Sequence, residues 1–257
     1  MVSSLAGEVA WVTGGGRGIG RATALALAAA SARVVVSARS VAEVDRVAGE
    51  ICAAGGQGFA VRCDVTSDRE VQAAFEAAAA RFQRIDILIN NAGFAESAPL
   101  TRLDPALWDK TIDVNLTGTY RCTRAVLPKM LERRHGRIVN IASMAATVGY
   151  AYTTAYCAAK HGVLGFTRAL ALETAGKGVT VNAVCPGWVD TEMTVASVKK
   201  IVETTGRTSE EARRTLESMN PQRRLIQPEE VAAVAVFLAG PDAADVTGEA
   251  YGVDGRL

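Results

Sequence analysis

The chain has 257 residues, 49% of them hydrophobic, and its 28 Lys and Arg residues nearly balance 27 Asp and Glu residues to give a formal net charge of +1. This length supports a large core, and α/β proteins of this size often form one domain, so we expect a single domain over residues 1–257. The small net charge offers no general attraction to nucleic acid or to an anionic membrane, so we expect small molecules and further copies of the chain as partners.

Segments typical of strands and helices alternate along the chain. Short apolar, β-branched runs predict strands over residues 9–12, 33–37, 58–64, 85–90, 137–141 and 179–184. Longer stretches of helix-forming composition predict helices over residues 20–30, 41–54, 68–82, 107–133 and 154–174. Apolar strands that alternate with helices predict a doubly wound α/β fold, in which helices cover both faces of a parallel sheet of about seven strands.

Residues 190–225 interrupt this alternation after the sixth predicted strand. They are rich in charge, with helical stretches and few strong core residues. Ligands of open α/β sheets bind outside the carboxyl ends of the strands, which is where this segment must begin. We interpret it as a mobile substrate-binding lid, and a solvated surface insertion is the alternative.

A glycine cluster with the spacing Gly14-x-x-x-Gly18-x-Gly20 lies between the first predicted strand and helix. Glycines permit positive φ and a close approach of the backbone to a pyrophosphate, whose charge a helix N-terminus favours. The strand–turn–helix context therefore predicts a dinucleotide site rather than a tight structural turn alone.

The residues after the second predicted strand indicate which dinucleotide binds. NAD-binding proteins usually place an acidic residue there, whereas this chain has Arg39, whose guanidinium can pair with a 2′-phosphate. Arg17 in the glycine turn offers a second cation. NADP(H) is therefore favoured over NAD(H), which is the alternative if Arg39 is only a surface residue.

Tyr156 and Lys160 are four residues apart on a predicted helix and therefore share one face. The ammonium group would lower the pKa of the phenol from its ordinary value of about 10 and let Tyr156 exchange protons nearer neutrality. Ser143 lies just beyond a predicted strand, and Tyr152 is a competing phenol. The spacing by itself supports only the contact between Tyr156 and Lys160.

Together these motifs resemble the short-chain dehydrogenase/reductase family, which implies a Rossmann fold over essentially the whole chain. The family's catalytic tetrad is matched by Asn115, Ser143, Tyr156 and Lys160. The resemblance implies that Tyr156 donates a proton to the carbonyl oxygen, that Ser143 orients that oxygen, that Lys160 also bonds the nicotinamide ribose, and that Asn115 holds a water that relays protons. The residues placed at the cofactor are Gly14, Arg17, Gly18, Ile19, Gly20, Arg39, Asp64, Val65, Asn91, Ala92, Gly93, Tyr156, Lys160, Pro186, Gly187, Val189 and Thr191.

Residues 185–193 and 220–224 are similar to segments of β-ketoacyl and polyketide ketoreductases and of 3-hydroxyacyl-CoA dehydrogenases. The resemblance implies an NADP(H)-dependent oxidoreductase that interconverts a ketone and a secondary alcohol by hydride transfer. The expected substrate is a 3-oxoacyl thioester, linked to CoA or a carrier, or a polyketide-type carbonyl. The candidates for the substrate pocket are Phe94, Glu96, Ala145, Tyr150, Trp188 and Met193.

Two other functions are weighed against this one. One is an NAD-dependent dehydrogenase of secondary alcohols or 3-hydroxyacyl-CoA. The other is a non-catalytic nucleotide-binding protein that senses redox state. The presence of Ser143, Tyr156 and Lys160 together argues against it, because a sensor does not need these three residues.

The remaining expectations concern location and assembly. The five cysteines form no C-x-x-C pair and residues 1–8 lack signal-peptide features, so we expect a cytoplasmic protein with reduced thiols. No metal site is expected, since His135 and His161 lack a ligand pattern. The resemblance implies a homotetramer with helices 107–133 and 154–174 between subunits; Arg256 stands where a second glycine is common in the family.

Overall fold

The computed structural model describes residues 4–255, so the expectation attached to Arg256 and the first three residues of the segment 1–8 lie outside the described residues. Seven parallel strands form one sheet in the order β3-β2-β1-β4-β5-β6-β7. The strands are β1 (Val9–Thr13), β2 (Arg33–Ala38), β3 (Gln57–Arg62), β4 (Ile87–Asn90), β5 (Gly136–Ile141), β6 (Val179–Pro186) and β7 (Ala250–Val253).

Helices cover both faces of this sheet. One face packs against α1, α2 and α9, and the other packs against α3, α5 and α6. The helices are α1 (Gly18–Ala29), α2 (Val41–Ala53), α3 (Asp68–Phe82), α4 (Pro105–Ile112), α5 (Gly118–Arg133), α6 (Thr154–Thr174), α7 (Glu192–Thr205), α8 (Ser209–Glu217) and α9 (Pro228–Ala239). The predicted doubly wound fold is confirmed, and the strand order reverses between β1 and β4, where ligands of such folds bind.

Successive residues of β1 show how the sequence builds both cores. Ala10 and Val12 face the cluster with α1 and α2, whereas Val9 and Trp11 face the cluster with α3 and α5. Trp11 is fully buried, and its indole N–H donates to the Ser37 hydroxyl at 2.8 Å. Apolar residues on both faces of a strand are expected where helices cover both sides of the sheet.

The predicted helix over residues 107–133 differs from the structure at its start and in its middle. It begins at Pro105, because the carboxylate of Asp104 accepts the backbone N–H of Ala106 at 2.9 Å and caps the helix. Between α4 and α5 the helix widens into a π turn over Asp113–Thr117. Single π turns within helices are frequent at functional sites, and this one carries Asn115.

The sequence pattern gave no bounds for α9 or β7. The segment 190–225 contains α7 and α8, as its helical composition predicted. Within residues 4–255, no helix combines the length and the apolar character needed to cross a membrane.

Candidate active site

The glycine turn follows β1 and touches the segment that follows β4. Gly14 and Gly18 adopt positive φ values of 62° and 50°. A Cβ atom on Gly14 would lie 2.8 Å from the Cα of Ala92, so a side chain would push the two segments apart. The turn therefore needs glycine both for its backbone conformation and for this close approach.

Thr13 and Asn91 hold the glycine turn in place. The Thr13 hydroxyl accepts the backbone N–H groups of Asn91 and Ala92 at 3.0 and 3.1 Å. The amide nitrogen of Asn91 donates to the carbonyl oxygens of Thr13 and Gly14, each at 3.0 Å. The side chain of Asn91 thus joins two strand ends and fixes the carbonyl that begins the turn. The sequence resemblance includes Thr13 as the first residue of the glycine motif, but it did not predict these hydrogen bonds.

The two candidate cations for a 2′-phosphate have different surroundings. The Arg17 side chain is 60% exposed, and its guanidinium lies 3.9 Å from the carboxylate of Glu43. Arg39 is exposed at the end of β2, close enough to Asp64 to influence its charge. Arg39 is thus the cation without a described ion-pair partner within 4.0 Å, whereas Arg17 has a competitor that the sequence did not reveal.

Asp64 keeps a negative charge at neutral pH. Burial by itself would raise the pKa of its carboxyl, but hydrogen bonds from the N–H and hydroxyl of Thr66, together with the charges of Arg39 and Arg62, lower that pKa below the ordinary value. The two bonds from Thr66 measure 3.0 and 2.8 Å. A carboxylate at this position can accept a hydrogen bond from an adenine amino group, the contact that the family resemblance implies.

Tyr156, Lys160 and Ser143 lie together at the carboxyl ends of β5 and β6. The Lys160 ammonium is 5.6 Å from the centre of the Tyr156 ring, as expected for residues four apart on α6. It is 4% exposed and donates to the carbonyl oxygen of Ile141, the last residue of β5, at 2.8 Å. The Ser143 hydroxyl accepts the backbone N–H of Ala145 at 3.1 Å. Tyr152 is 64% exposed, which favours Tyr156 as the functional phenol.

Burial, not the neighbouring charge, dominates the acidity of this pair. Burial raises the pKa of Tyr156 to about 12, and the hydrogen bond with Ser143 opposes that rise only in part. Burial also lowers the pKa of Lys160 to about 8. The prediction that Lys160 lowers the Tyr156 pKa is wrong for the protein by itself, because spacing along a helix gives adjacency but not the cost of desolvating a charge.

Asn115 is buried in the π turn and bonds the backbone of Phe94. Its Oδ1 accepts the Phe94 N–H at 3.2 Å, and its Nδ2 donates to the Phe94 carbonyl at 2.7 Å. Nδ2 also donates to the Thr111 carbonyl at 2.9 Å. The side chain therefore fixes the segment that follows β4. The water relay assigned to Asn115 stays a prediction.

The segment 190–225, which the sequence predicts to be a lid, begins beside the glycine turn. A Cβ atom on Gly18 would lie 3.1 Å from the Thr191 methyl group, so the first residues of this segment cover that glycine. A cavity of about 410 Å³ is lined by Arg17 and Gly18 on one side and by Thr191 and Glu192 on another. Pro186 ends β6 next to Gly187, so residues 186–191 connect the carboxyl end of β6 with the glycine turn.

Comparisons with known proteins agree with this geometry. The family model described as short chain dehydrogenase matches residues 8–201. The chain belongs to the short-chain dehydrogenase/reductase family. It is 44% identical over 259 residues to a 3-oxoacyl-[acyl-carrier-protein] reductase of Synechocystis sp., covering 100% of this chain and 99% of the relative. It is 40% identical to a D-beta-hydroxybutyrate dehydrogenase of Cupriavidus necator, covering 98% of each chain.

A comparison with solved structures supports the same family. The crystal structure of a variant of actinorhodin polyketide ketoreductase with NADPH superposes with a TM-score of 0.94 at 41% identity, covering 99% of this chain and 98% of that one. The predicted family, the fold class and the assignment as an oxidoreductase are confirmed.

The six candidates for the substrate pocket of this short-chain dehydrogenase/reductase lie on three segments, which follow β4, β5 and β6. Phe94 packs under the ammonium of Lys110, 4.3 Å from its ring centre, a contact that sequence reasoning missed. Ala145 is 3% exposed, so it shapes the site through its backbone more than through its methyl group. The other four have exposed or partly exposed side chains: Glu96, Tyr150, Trp188 and Met193. Their role in substrate binding stays a prediction.

His135 lies at the opposite end of the sheet. Its Nε2 is 3.0 Å from Glu8, and the two residues approach the buried carboxylate of Asp86. That carboxylate already accepts the Val9 N–H at 3.0 Å and the Arg84 Nε–H at 2.6 Å. Glu8, Asp86 and His135 form a group whose ligand atoms are close enough together to hold a metal ion, which the sequence spacing did not show, and the expected absence of a metal site stays a prediction.

Proposed function

We propose that the protein is an NADP(H)-dependent ketoreductase that reduces a 3-oxoacyl thioester or a polyketide-type ketone to the secondary alcohol. The observation that carries the proposal is that Ser143, Tyr156 and Lys160 lie together at the carboxyl edge of the sheet. The same edge carries the turn after β1, whose conformation and close contacts require glycine. Relatives named as 3-oxoacyl reductase and polyketide ketoreductase support the substrate class.

The residues present fit NADP(H). The glycine turn at the N-terminus of α1 suits a pyrophosphate, Asp64 suits the adenine amino group, and Arg39 suits the 2′-phosphate. Lys160 would hold the ribose next to the nicotinamide, and residues 186–189 would flank the ring. When bound, the reduced cofactor supplies the hydride that adds to the carbonyl carbon.

The chain supplies the proton and the stabilisation of the carbonyl oxygen. Because the pKa of Tyr156 is about 12, its phenol is protonated at neutral pH and can donate to the oxygen as hydride reaches the carbon. Ser143 donates a hydrogen bond to the same oxygen and stabilises its growing negative charge. Lys160, 5.6 Å from the Tyr156 ring, then faces the phenolate that remains. A protonated phenol is the form of Tyr156 that the reduction requires.

The lid, the assembly and the location form part of the same proposal. Residues 190–225 act as the lid over a CoA- or carrier-linked substrate, since their first residues cover the glycine turn. Tyr120 is 44% exposed and Leu172 is 84% exposed, on α5 and α6 respectively. These side chains support a homotetramer in which copies of the two helices pack together. The scattered thiols support a cytoplasmic location.

The decisive experiment is the initial rate of nicotinamide absorbance loss with acetoacetyl-CoA, measured in parallel with NADPH and NADH. Tyr156→Phe keeps the ring and removes the proton donor, so the rate is expected to fall roughly 10²- to 10⁴-fold. Tyr152→Phe is the matched control and is expected to keep the wild-type rate. Equal losses in both variants, or faster turnover with NADH, would overturn the proposal. Retained NADPH binding by Tyr156→Phe, with turnover lost, would also contradict a non-catalytic redox sensor.

One observation favours a second candidate function, a dehydrogenase of secondary alcohols or 3-hydroxyacyl-CoA. The similarity to the D-beta-hydroxybutyrate dehydrogenase is close to the similarity to the reductase. Rates of oxidation of 3-hydroxybutyrate and 3-hydroxybutyryl-CoA with NAD and NADP test it. Faster oxidation than reduction at pH 7, with NAD as the better cofactor, would favour the dehydrogenase.

A further inference from the structure

Asn220 lies between α8 and α9 and is 2% exposed. Its Oδ1 accepts the backbone N–H of Trp188, and its Nδ2 donates to the carbonyl of the same residue, each at 2.9 Å. Nδ2 also donates to the carbonyl of Arg224 at 2.7 Å. One side-chain amide therefore pairs with both polar backbone groups of Trp188, as a residue of a neighbouring strand would.

This contact falls on the segment that joins β6 to the lid. On one side of it, the Gly187 N–H donates to the Val253 carbonyl at 3.0 Å; on the other, the Asp190 N–H donates to the Ile226 carbonyl at 2.8 Å. The Trp188 N–H between them is bonded by Asn220. Backbone N–H groups in the interior need a partner, so removing the amide leaves this one unpaired.

The absence of a side chain at Gly187 leaves room for the side chain of Asn220. A Cβ atom at Gly187 would collide with Oδ1 of Asn220, and it would lie 3.0 Å from the Cβ of Asp254. The amide thus packs directly on the Gly187 backbone and bonds the residue that follows it. The location of this backbone depends on Asn220 through both contact and hydrogen bonding.

The opposite side of the site has an equivalent contact. Asn115 pairs with the N–H and the carbonyl of Phe94, after β4, in the way that Asn220 pairs with Trp188, after β6. Two buried amides therefore fix the two backbone segments between which the reacting groups lie. The family resemblance assigns a catalytic role to Asn115, whereas it includes Asn220 only within the similar segment 220–224 and gives it no role.

We propose that Asn220 is a positioning residue that fixes the Gly187–Trp188 backbone against the nicotinamide ring of the cofactor. The inference rests on the proposed function, because that function places the ring beside residues 186–189. Asn220 acts through the backbone of Trp188 and contacts no reacting atom. It therefore affects binding of the nicotinamide half of the cofactor and spares the adenosine half, which binds at the glycine turn, Arg39 and Asp64.

Asn182 provides a matched control. It is fully buried in β6, its Nδ2 donates to the Val246 carbonyl at 2.8 Å, and its Oδ1 accepts the Glu249 N–H at 3.1 Å. It is thus a buried amide that also bonds a backbone donor and a backbone acceptor, but it lies four residues before the Pro186 end of the strand. Its removal tests the effect of losing such an amide on the fold in general.

The experiment compares two ligands by fluorescence or calorimetric titration: NADPH and 2′-phospho-ADP-ribose, which lacks the nicotinamide. Asn220→Leu is expected to raise the Kd for NADPH roughly tenfold, the equivalent of about one lost hydrogen bond, and to change the Kd for the fragment less than about twofold. Asn220→Ser, whose hydroxyl cannot reach both groups of Trp188, serves if the leucine variant does not fold. Asn182→Leu is expected to leave both constants within about twofold of wild type.

The outcomes separate the two proposals. Equal weakening of both ligands in the Asn220 variants, or an unchanged Kd for NADPH, would overturn the positioning role and leave the proposed function standing. A wild-type protein that binds the fragment as tightly as NADPH would also overturn the positioning role. A wild type that binds neither ligand and turns over no ketone would refute the proposed function itself.

Discussion

Arg39 gives the sharpest test of cofactor choice. Arg39→Ala is expected to lower kcat/KM with NADPH and to leave kcat/KM with NADH unchanged. Arg39 is exposed at the end of β2, so water would partly screen the proposed contact between its guanidinium and the 2′-phosphate. Hydrogen bonds to charged groups contribute roughly 1.5–3 kcal/mol, and the exposed setting favours the lower limit, which corresponds to about a tenfold loss.

The size of this loss depends on Arg17. If Arg17 moved to the phosphate, it could replace Arg39, but it lies 3.9 Å from the Glu43 carboxylate and would have to leave that partner. Arg17→Ala is therefore expected to lower kcat/KM with NADPH less than Arg39→Ala does. Glu43→Gln releases Arg17 and is expected to lower the KM for NADPH.

The assay is the initial rate with each cofactor at saturating ketone. Arg62→Ala is the matched control, because Arg62 also lowers the pKa of Asp64 but is paired with Glu70 at 2.6 Å. An effect that acts through Asp64 and the adenine would appear in both arginine variants and with both cofactors. Parallel losses of NADPH and NADH activity in Arg39→Ala would refute a direct contact with the 2′-phosphate.

The other predictions concern pH, the glycine turn and the amino end of the sheet. Lys160→Met is expected to stabilise the protein more at pH 7 than at pH 10. The pKa of Lys160 is about 8 in the folded state, below its ordinary value of 10.5, so the wild type takes up a proton on unfolding between these pH values and its stability rises with pH. The methionine variant has no such proton uptake, so its advantage over the wild type is largest at the lower pH. Urea unfolding at both pH values measures this, and an equal gain at both would contradict it. Gly14→Ala is expected to abolish NADPH binding in a fluorescence titration, whereas Gly49→Ala, with open space around its Cβ position, keeps it. Asp86→Ala is expected to cost about 1–3 kcal/mol of unfolding free energy in urea, because the buried Val9 N–H loses its hydrogen-bond partner, whereas the two arginines beside the carboxylate remain partly hydrated. The KM of Asp86→Ala for NADPH is expected to equal that of the wild type, which would show that the loss of stability does not act through the cofactor site.

Residue patterns were sufficient for the fold and for the proximity of Tyr156 and Lys160. Apolar strands that alternate with helices predicted the parallel sheet, and the glycine spacing predicted the turn after β1. The bounds of β7 and the π turn at Asn115 could not be predicted. The edge strand β7 is short, with partly exposed residues, so its sequence carries little periodic signal. The π turn depends on tertiary bonds from Asn115 to the Phe94 backbone, which no local pattern encodes.

The acidity of Tyr156 and Lys160 depends on their burial more than on their proximity. The spacing of Tyr156 and Lys160 predicted their contact, and a contact with a cation in water would lower a phenol pKa. In the folded protein the same helix face also packs onto the ends of β5 and β6, so both groups lose water. Desolvation disfavours the charged form of each, which raises the pKa of Tyr156 and lowers that of Lys160. The chain therefore presents a protonated phenol beside a lysine that loses its charge near pH 8. In the proposed reduction the phenolate forms as the Tyr156 proton passes to the substrate oxygen. The hydrogen bond proposed from Ser143 stabilises the negative charge on that oxygen until the proton arrives, so it lowers the energy of the step that the high Tyr156 pKa makes costly.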